Sequence, residues 1–101
     1  MLKEVVKSDI QEDLKKGLKV LVFHATWCGP CRMYKKSLEE LSEKTGLDVY
    51  RVDVDKDQAF AAEMGVNSIP ATFVYKEGSL LASFQGYRPY EQLNEEINTL
   101  K

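Results

Sequence analysis

The residues with the most chemistry to offer are the two cysteines, Cys28 and Cys31, set in the run Trp27-Cys28-Gly29-Pro30-Cys31. As a staple this pair does little. A bond closing about four residues is worth roughly 2 kcal/mol in loop entropy, against about 3 for a loop of about 15. The spacing suits exchange better. A thiolate at Cys28 attacks a substrate disulfide, and Cys31, one turn on, attacks the mixed disulfide and releases reduced substrate. Gly29 and Pro30 fix the turn and leave little side chain in the way. Two other roles for the pair stay open on residue types alone: inert buried thiols, or a metal corner. For the latter, His24 would add a third ligand, but no second cysteine pair completes the set. Zinc or an iron–sulfur cluster would therefore need a second copy or a borrowed ligand.

A reactive thiol needs a platform, and the flanking sequence predicts one. Val20-Leu21-Val22-Phe23 is a continuous apolar run, the pattern of a strand buried on both faces. After Cys28 a helix begins, with Pro30 near its first turn, Tyr34, Leu38 and Leu41 on its inner stripe, and Gly46 ending it. Cys28 thus falls in the crevice between strand and helix, where open α/β sheets bind ligands. The unpaired N–H groups and partial positive charge of a helix N-terminus favour thiolate over thiol there.

The remaining elements follow from pattern. Val5-Val6 is expected as a short edge strand, and Ser8 with Gln11 as a capping box for a first helix carrying Ile10 and Leu14 and stopped by Gly17. Tyr50, Val52 and Val54 alternate with Arg51, Asp53 and Asp55, which predicts a half-exposed strand. Asp55 and Gln58 are expected to cap a short helix with Phe60 and Met64 inward and Gly65 at its end. Beyond Asn67-Ser68-Ile69-Pro70, a strand at Thr72–Tyr75, the turn Lys76-Glu77-Gly78 and a return strand at Leu80–Phe84 make a hairpin. Tyr90, Leu93, Ile97 and Leu100 lie at close to helical spacing in a last helix from Pro89. The order β-α-β-α-β-α-β-β-α predicts an α/β layer fold, parallel strands first and an antiparallel hairpin last.

Composition narrows the function. In 101 residues, 44% hydrophobic and 30% charged, there is room for one soluble domain burying roughly two-thirds of its surface. A net charge of −2 argues against holding a nucleic-acid backbone by charge. No run approaches the roughly 18 apolar residues of a membrane span. The charged start, Met1 to Asp9, has no apolar signal region, so a cytoplasmic location is expected, where structural disulfides are rare. No glycine-rich phosphate loop, serine–histidine pair or paired catalytic carboxylates stands out. Tyr34, Tyr87 and Tyr90 are expected to pack, and Glu91, Glu95, Glu96 and Lys101 to form a solvated face.

Trp27-Cys28-Gly29-Pro30-Cys31 after an apolar strand resembles the active-site signature of the thioredoxin family, and the similarity runs over nearly the whole chain. Ile69-Pro70 sits where thioredoxins place a cis-proline loop facing the cysteines, and the hairpin with Gly78 followed by Gly86 also resembles the family pattern. The resemblance implies a thioredoxin fold, a central mixed β-sheet flanked by helices on both faces, over residues 1–101. It further implies that Trp27, Ile69, Pro70 and Gly86 form an apolar patch for an extended substrate. Ile69, preceding proline, is biased to extended backbone and has an N–H and a C=O to offer an added strand.

Two positions depart from that family. Thioredoxins usually carry a buried aspartate six residues before the first cysteine, thought to help deprotonate the resolving cysteine, and Val22 stands there. Arg51 resembles the position of a lysine that usually neighbours that aspartate. It is expected either solvated or leaning toward Cys31. His24 stands where the family often has an aromatic residue. A His24–Asp55 hydrogen bond beside the active site, raising the histidine pKa, is one expectation, and simple packing the other.

The expected activity is reduction of protein disulfides through a Cys28/Cys31 dithiol–disulfide cycle. The resemblance implies an NADPH-dependent thioredoxin reductase as electron donor, no bound cofactor or metal, and a monomer. Two alternatives are a specialised relay with a dedicated client or donor, and a binding subunit that uses the active-site face without redox turnover.

Overall fold

The sheet is built outward from the apolar run of the central strand. The computed structural model describes residues 1–101. Its elements are β1 (Leu2–Glu4), α1 (Lys7–Ile10), β2 (Leu18–His24), α2 (Gly29–Thr45), β3 (Asp48–Asp53), α3 (Gln58–Glu63), β4 (Ala71–Lys76), β5 (Ser79–Gln85) and α4 (Tyr90–Asn98), with a 3-10 turn at Asp13–Lys15. The strands lie in the order β1-β3-β2-β4-β5. β1, β3 and β2 run parallel, β4 is antiparallel to β2, and β5 to β4. This is the expected thioredoxin fold, a mixed sheet with parallel strands first and the hairpin last.

Side-chain alternation along β2 feeds two cores, one on each face. Val20 and Val22 pack with Tyr34, Leu38 and Leu41 of α2 and Leu93 and Ile97 of α4. Leu21 and Phe23 pack on the other face with Ile10, Phe60 and Phe73. Gly46, at φ 74°, ends α2 in the left-handed conformation that glycine adopts without strain. The two-residue hairpin turn takes positive φ at both Glu77 (50°) and Gly78 (85°), matching the strand twist.

Four local expectations are corrected. The edge strand is Leu2–Glu4 rather than Val5-Val6. Register with β3 pairs Leu2 with Val49 and Glu4 with Arg51, and Val5 leaves the strand to enter the core. The first helix stops at Ile10 and has no Ser8–Gln11 box, because Asp9 Oδ2 takes the Val6 N–H at 3.0 Å. α3 is capped by Asp57, whose Oδ1 accepts from Phe60 N–H at 3.2 Å, and not by Asp55. β3 is buried on both faces, Arg51 included, because β1 covers its outer edge and helices cover both sides.

Candidate active site

β2 ends at His24, and three residues carry the chain across the sheet's edge to Cys28, which caps α2 in an extended conformation (φ −92°, ψ 110°). Pro30 falls in the first turn of α2, where its missing N–H leaves no helical bond unmade. Cys28 and Cys31 are disulfide-bonded, with Cα atoms 5.2 Å apart. The Cys31 N–H points at Cys28 Sγ at 3.2 Å. An N–H directed at sulfur and a helix N-terminus both favour thiolate over thiol. Cys31 is the deeper sulfur, 2% exposed against 6% for Cys28. Both pack on Ala25, with Val54 and Ile69 alongside.

Of the residues expected to face substrate, Ile69, Pro70 and Gly86 come together beside the cysteines. The Ile69–Pro70 peptide is cis. The Ile69 carbonyl oxygen lies 4.0 Å from Cys28 Sγ. Gly86 N–H donates to Pro70 O at 2.8 Å, tying the end of β5 to the proline loop. Neither the N–H nor the C=O of Ile69 pairs with another backbone group. Trp27, next to Cys28 in the chain, is 66% exposed.

The histidine is placed otherwise than expected. His24 Nε2 pairs with Glu4 Oε1 at 2.9 Å, while Asp55 Oδ2 accepts from Trp27 Nε1 at 2.8 Å. No His24–Asp55 bond forms. Glu4, His24 and Arg51 lie on the helix α2 face of the sheet, whereas Asp55 follows β3 into an exposed turn and is taken by the indole. The histidine pKa is pushed down, opposite to expectation: burial penalises its charged form most, then Arg51 repels it, and Glu4 and Asp53 only partly offset these.

Arg51 is neither solvated nor turned to Cys31. It is buried, and its Nη1 donates to Glu4 Oε2. Its Nε is buried without a partner. Glu4 is the residue sequence reasoning missed. Its signal was positional, since one row across the sheet reads Glu4, Arg51, Val22, Thr72. The side chains of Glu4, His24, Arg51 and Asp53 line an open polar groove of about 650 Å³ that also touches Arg32 and Lys35 of α2. No three histidine, cysteine or acidic side chains converge as a metal site would require.

Comparison with known proteins adds to this geometry. The family profile described as Thioredoxin matches residues 1–99. The chain is 40% identical over 100 residues to a thioredoxin of Listeria monocytogenes, covering 97% of each chain. It is 38% identical over 97 residues to one of Staphylococcus haemolyticus (94% of this chain, 93% of the relative). A thioredoxin of Bacillus subtilis is 39% identical over 88 residues, 85% of each. With the Cys28–Cys31 disulfide at the head of α2 where this fold displays it, the chain belongs to the thioredoxin family of thiol–disulfide oxidoreductases.

Proposed function

We propose that this chain is a protein-disulfide reductase of the cytoplasm, a monomeric single domain that receives electrons from an NADPH-dependent thioredoxin reductase and passes them to client proteins. The observation that carries the reading is the unpaired Ile69 backbone beside Cys28 Sγ. An extended client segment laid along Ile69 would bring its disulfide to the nucleophile. Trp27, Pro70 and Gly86 form the rest of that docking surface, and Gly29 and Pro30 shape the turn.

The Cys28 thiolate attacks one sulfur of the client disulfide, and the other leaves as a thiolate that takes a proton from solvent. Cys31 then attacks Cys28 Sγ, forming the intramolecular disulfide and releasing the second client thiol. Two electrons have passed to the client, and the reductase returns two to the Cys28–Cys31 pair at the expense of one NADPH.

NADPH consumption with a thioredoxin reductase and a protein disulfide tests this. Wild type is expected to turn over and the Cys28→Ser variant to lose at least 10³-fold, because the thiol is the attacking atom. A wild type that titrates reversibly with a small dithiol yet consumes no NADPH would overturn the proposed donor. It would favour a dedicated relay.

A further inference from the structure

We propose that Glu4 and His24 form a dyad that accepts the proton of Cys31 when that thiol resolves the mixed disulfide. His24 takes the proton through water in the polar groove, and Glu4 fixes which ring nitrogen does so. The inference rests on the dithiol cycle proposed above.

The step itself poses the requirement. As Cys31 Sγ bonds to Cys28 Sγ, the Cys28–client bond breaks, the electron pair leaves with the client sulfur, and the Cys31 proton must go to a base. Cys31 is 2% exposed, so bulk solvent does not collect that proton directly. Few groups on the α2 face of the sheet can. Val22 carries no titratable group. Arg51 is already cationic. Tyr34 shares its hydroxyl with Thr72 at 2.8 Å, and burial pushes its pKa up to about 12. Asp53 lies on β3, one strand farther than His24 from the β2 end that leads to the cysteines, and its Oδ1 already accepts the Asp55 N–H.

His24 remains, immediately before the Ala25 on which both cysteines pack. Its Nε2 faces a Glu4 oxygen at 2.9 Å. A carboxylate only accepts, so the hydrogen bond assigns the proton of the neutral ring to Nε2 and the lone pair to Nδ1. Nδ1 makes no hydrogen bond within the protein, and the ring lines the groove together with Ala25, which packs on both cysteines, and Arg32, which follows Cys31 on α2. A groove of this polarity and size holds water, which can bridge a proton donor and acceptor. The groups facing the ring are Glu4 from β1, Asp9 from α1, Arg51 and Asp53 from β3, Arg32 and Lys35 from α2, and Lys56 beyond β3. Burial and Arg51 keep His24 neutral at neutral pH, the state a base must start from.

The chain has one histidine, so its ring titration is read without ambiguity by NMR. Single-turnover kinetics then separate attack by Cys28 from resolution by Cys31, both followed against pH. Resolution in wild type is expected to rise with pH through an inflection that coincides with the titration of His24. His24→Gln should lose the inflection and slow resolution at pH 7 by about 10²-fold, at least tenfold more than it slows attack. Glu4→Gln should slow resolution by about tenfold or more, because an amide no longer enforces the tautomer, and should move the ring titration to lower pH. The dyad is overturned if His24→Gln, verified as folded by its NMR spectrum, keeps the wild-type pH profile, or if both steps slow equally. Absence of attack by wild-type Cys28 would instead overturn the dithiol cycle.

Discussion

Burying an arginine is unfavourable unless a counter-charge accompanies it, and Arg51 finds one in Glu4, 47 residues away in sequence. The principle was available from sequence, since an unpaired arginine is rarely buried, but the partner was not. It is chosen by the β1–β3 register, which no local pattern encodes. The expected His24–Asp55 bond fails for the same reason: Asp55 follows the neighbouring strand but its carboxylate accepts from Trp27. Glu4 is also the wet half of the pair, its side chain 53% exposed against 7% for Arg51. Solvent therefore screens the interaction, and we expect Glu4→Ala to lose about 1–3 kcal/mol, below the usual loss for breaking a fully buried pair. The double variant Glu4→Ala, Arg51→Met should lose less than Glu4→Ala alone, because it removes the stranded charge and fills the space with an apolar chain of similar length. Urea unfolding of both variants decides it. A double variant that loses more than Glu4→Ala alone would mean that Arg51 stabilises the sheet without its partner.

At the scale of elements, legibility depended on how local the signal was. β2, α2, the β4–β5 hairpin and α4 each announce themselves through apolar runs, caps or turn residues within a few positions. β3 was misjudged because the alternation of Arg51 and Asp53 with valines looks like a wetted face, and only its place between β1 and β2 reveals otherwise. The link between α2 and β4 was likewise invisible. Tyr34, fully buried, reaches across to Thr72 Oγ1 behind the proline loop, and its ring also packs edge-on against Tyr87. Burial holds the Tyr34 pKa up at about 12, with the Thr72 hydrogen bond pulling the other way. A raised folded-state pKa means stability that is complete below the unfolded value of about 10 and is lost as pH climbs from there through about 12. The shift corresponds to about 2–3 kcal/mol. Tyr34→Phe should therefore lose about 1 kcal/mol at pH 7, where Thr72 is left without its partner, yet unfold less steeply with alkali. Chemical unfolding at pH 7, 9.5 and 11 separates the two effects. An unchanged alkaline slope would show that Tyr34 ionises at the same pH folded as unfolded.

Across the whole molecule, the two large cores meet on the sheet and neither contains a cysteine. The disulfide sits in a small satellite cluster with Ala25 at the top of the sheet. A bond set outside both cores is placed so that opening it breaks none of their packing contacts. The loop that it closes is short, so the entropy model assigns the oxidised form an advantage of only about 2 kcal/mol or less over the reduced one. We expect the oxidised protein, the protein reduced with a phosphine, and the Cys28→Ala, Cys31→Ala variant all to unfold in urea in one cooperative transition. The slopes should match closely, because the surface exposed on unfolding is nearly the same, and the midpoints should differ by no more than that advantage. A reduced form that unfolds in two steps, or with a clearly smaller slope, would mean that the satellite cluster needs the disulfide to hold the α2 N-terminus against the sheet. The pair would then be a structural element as well as a redox couple. The docking proposed at Ile69 would in that case depend on oxidation state, since Ile69 packs against the same cluster.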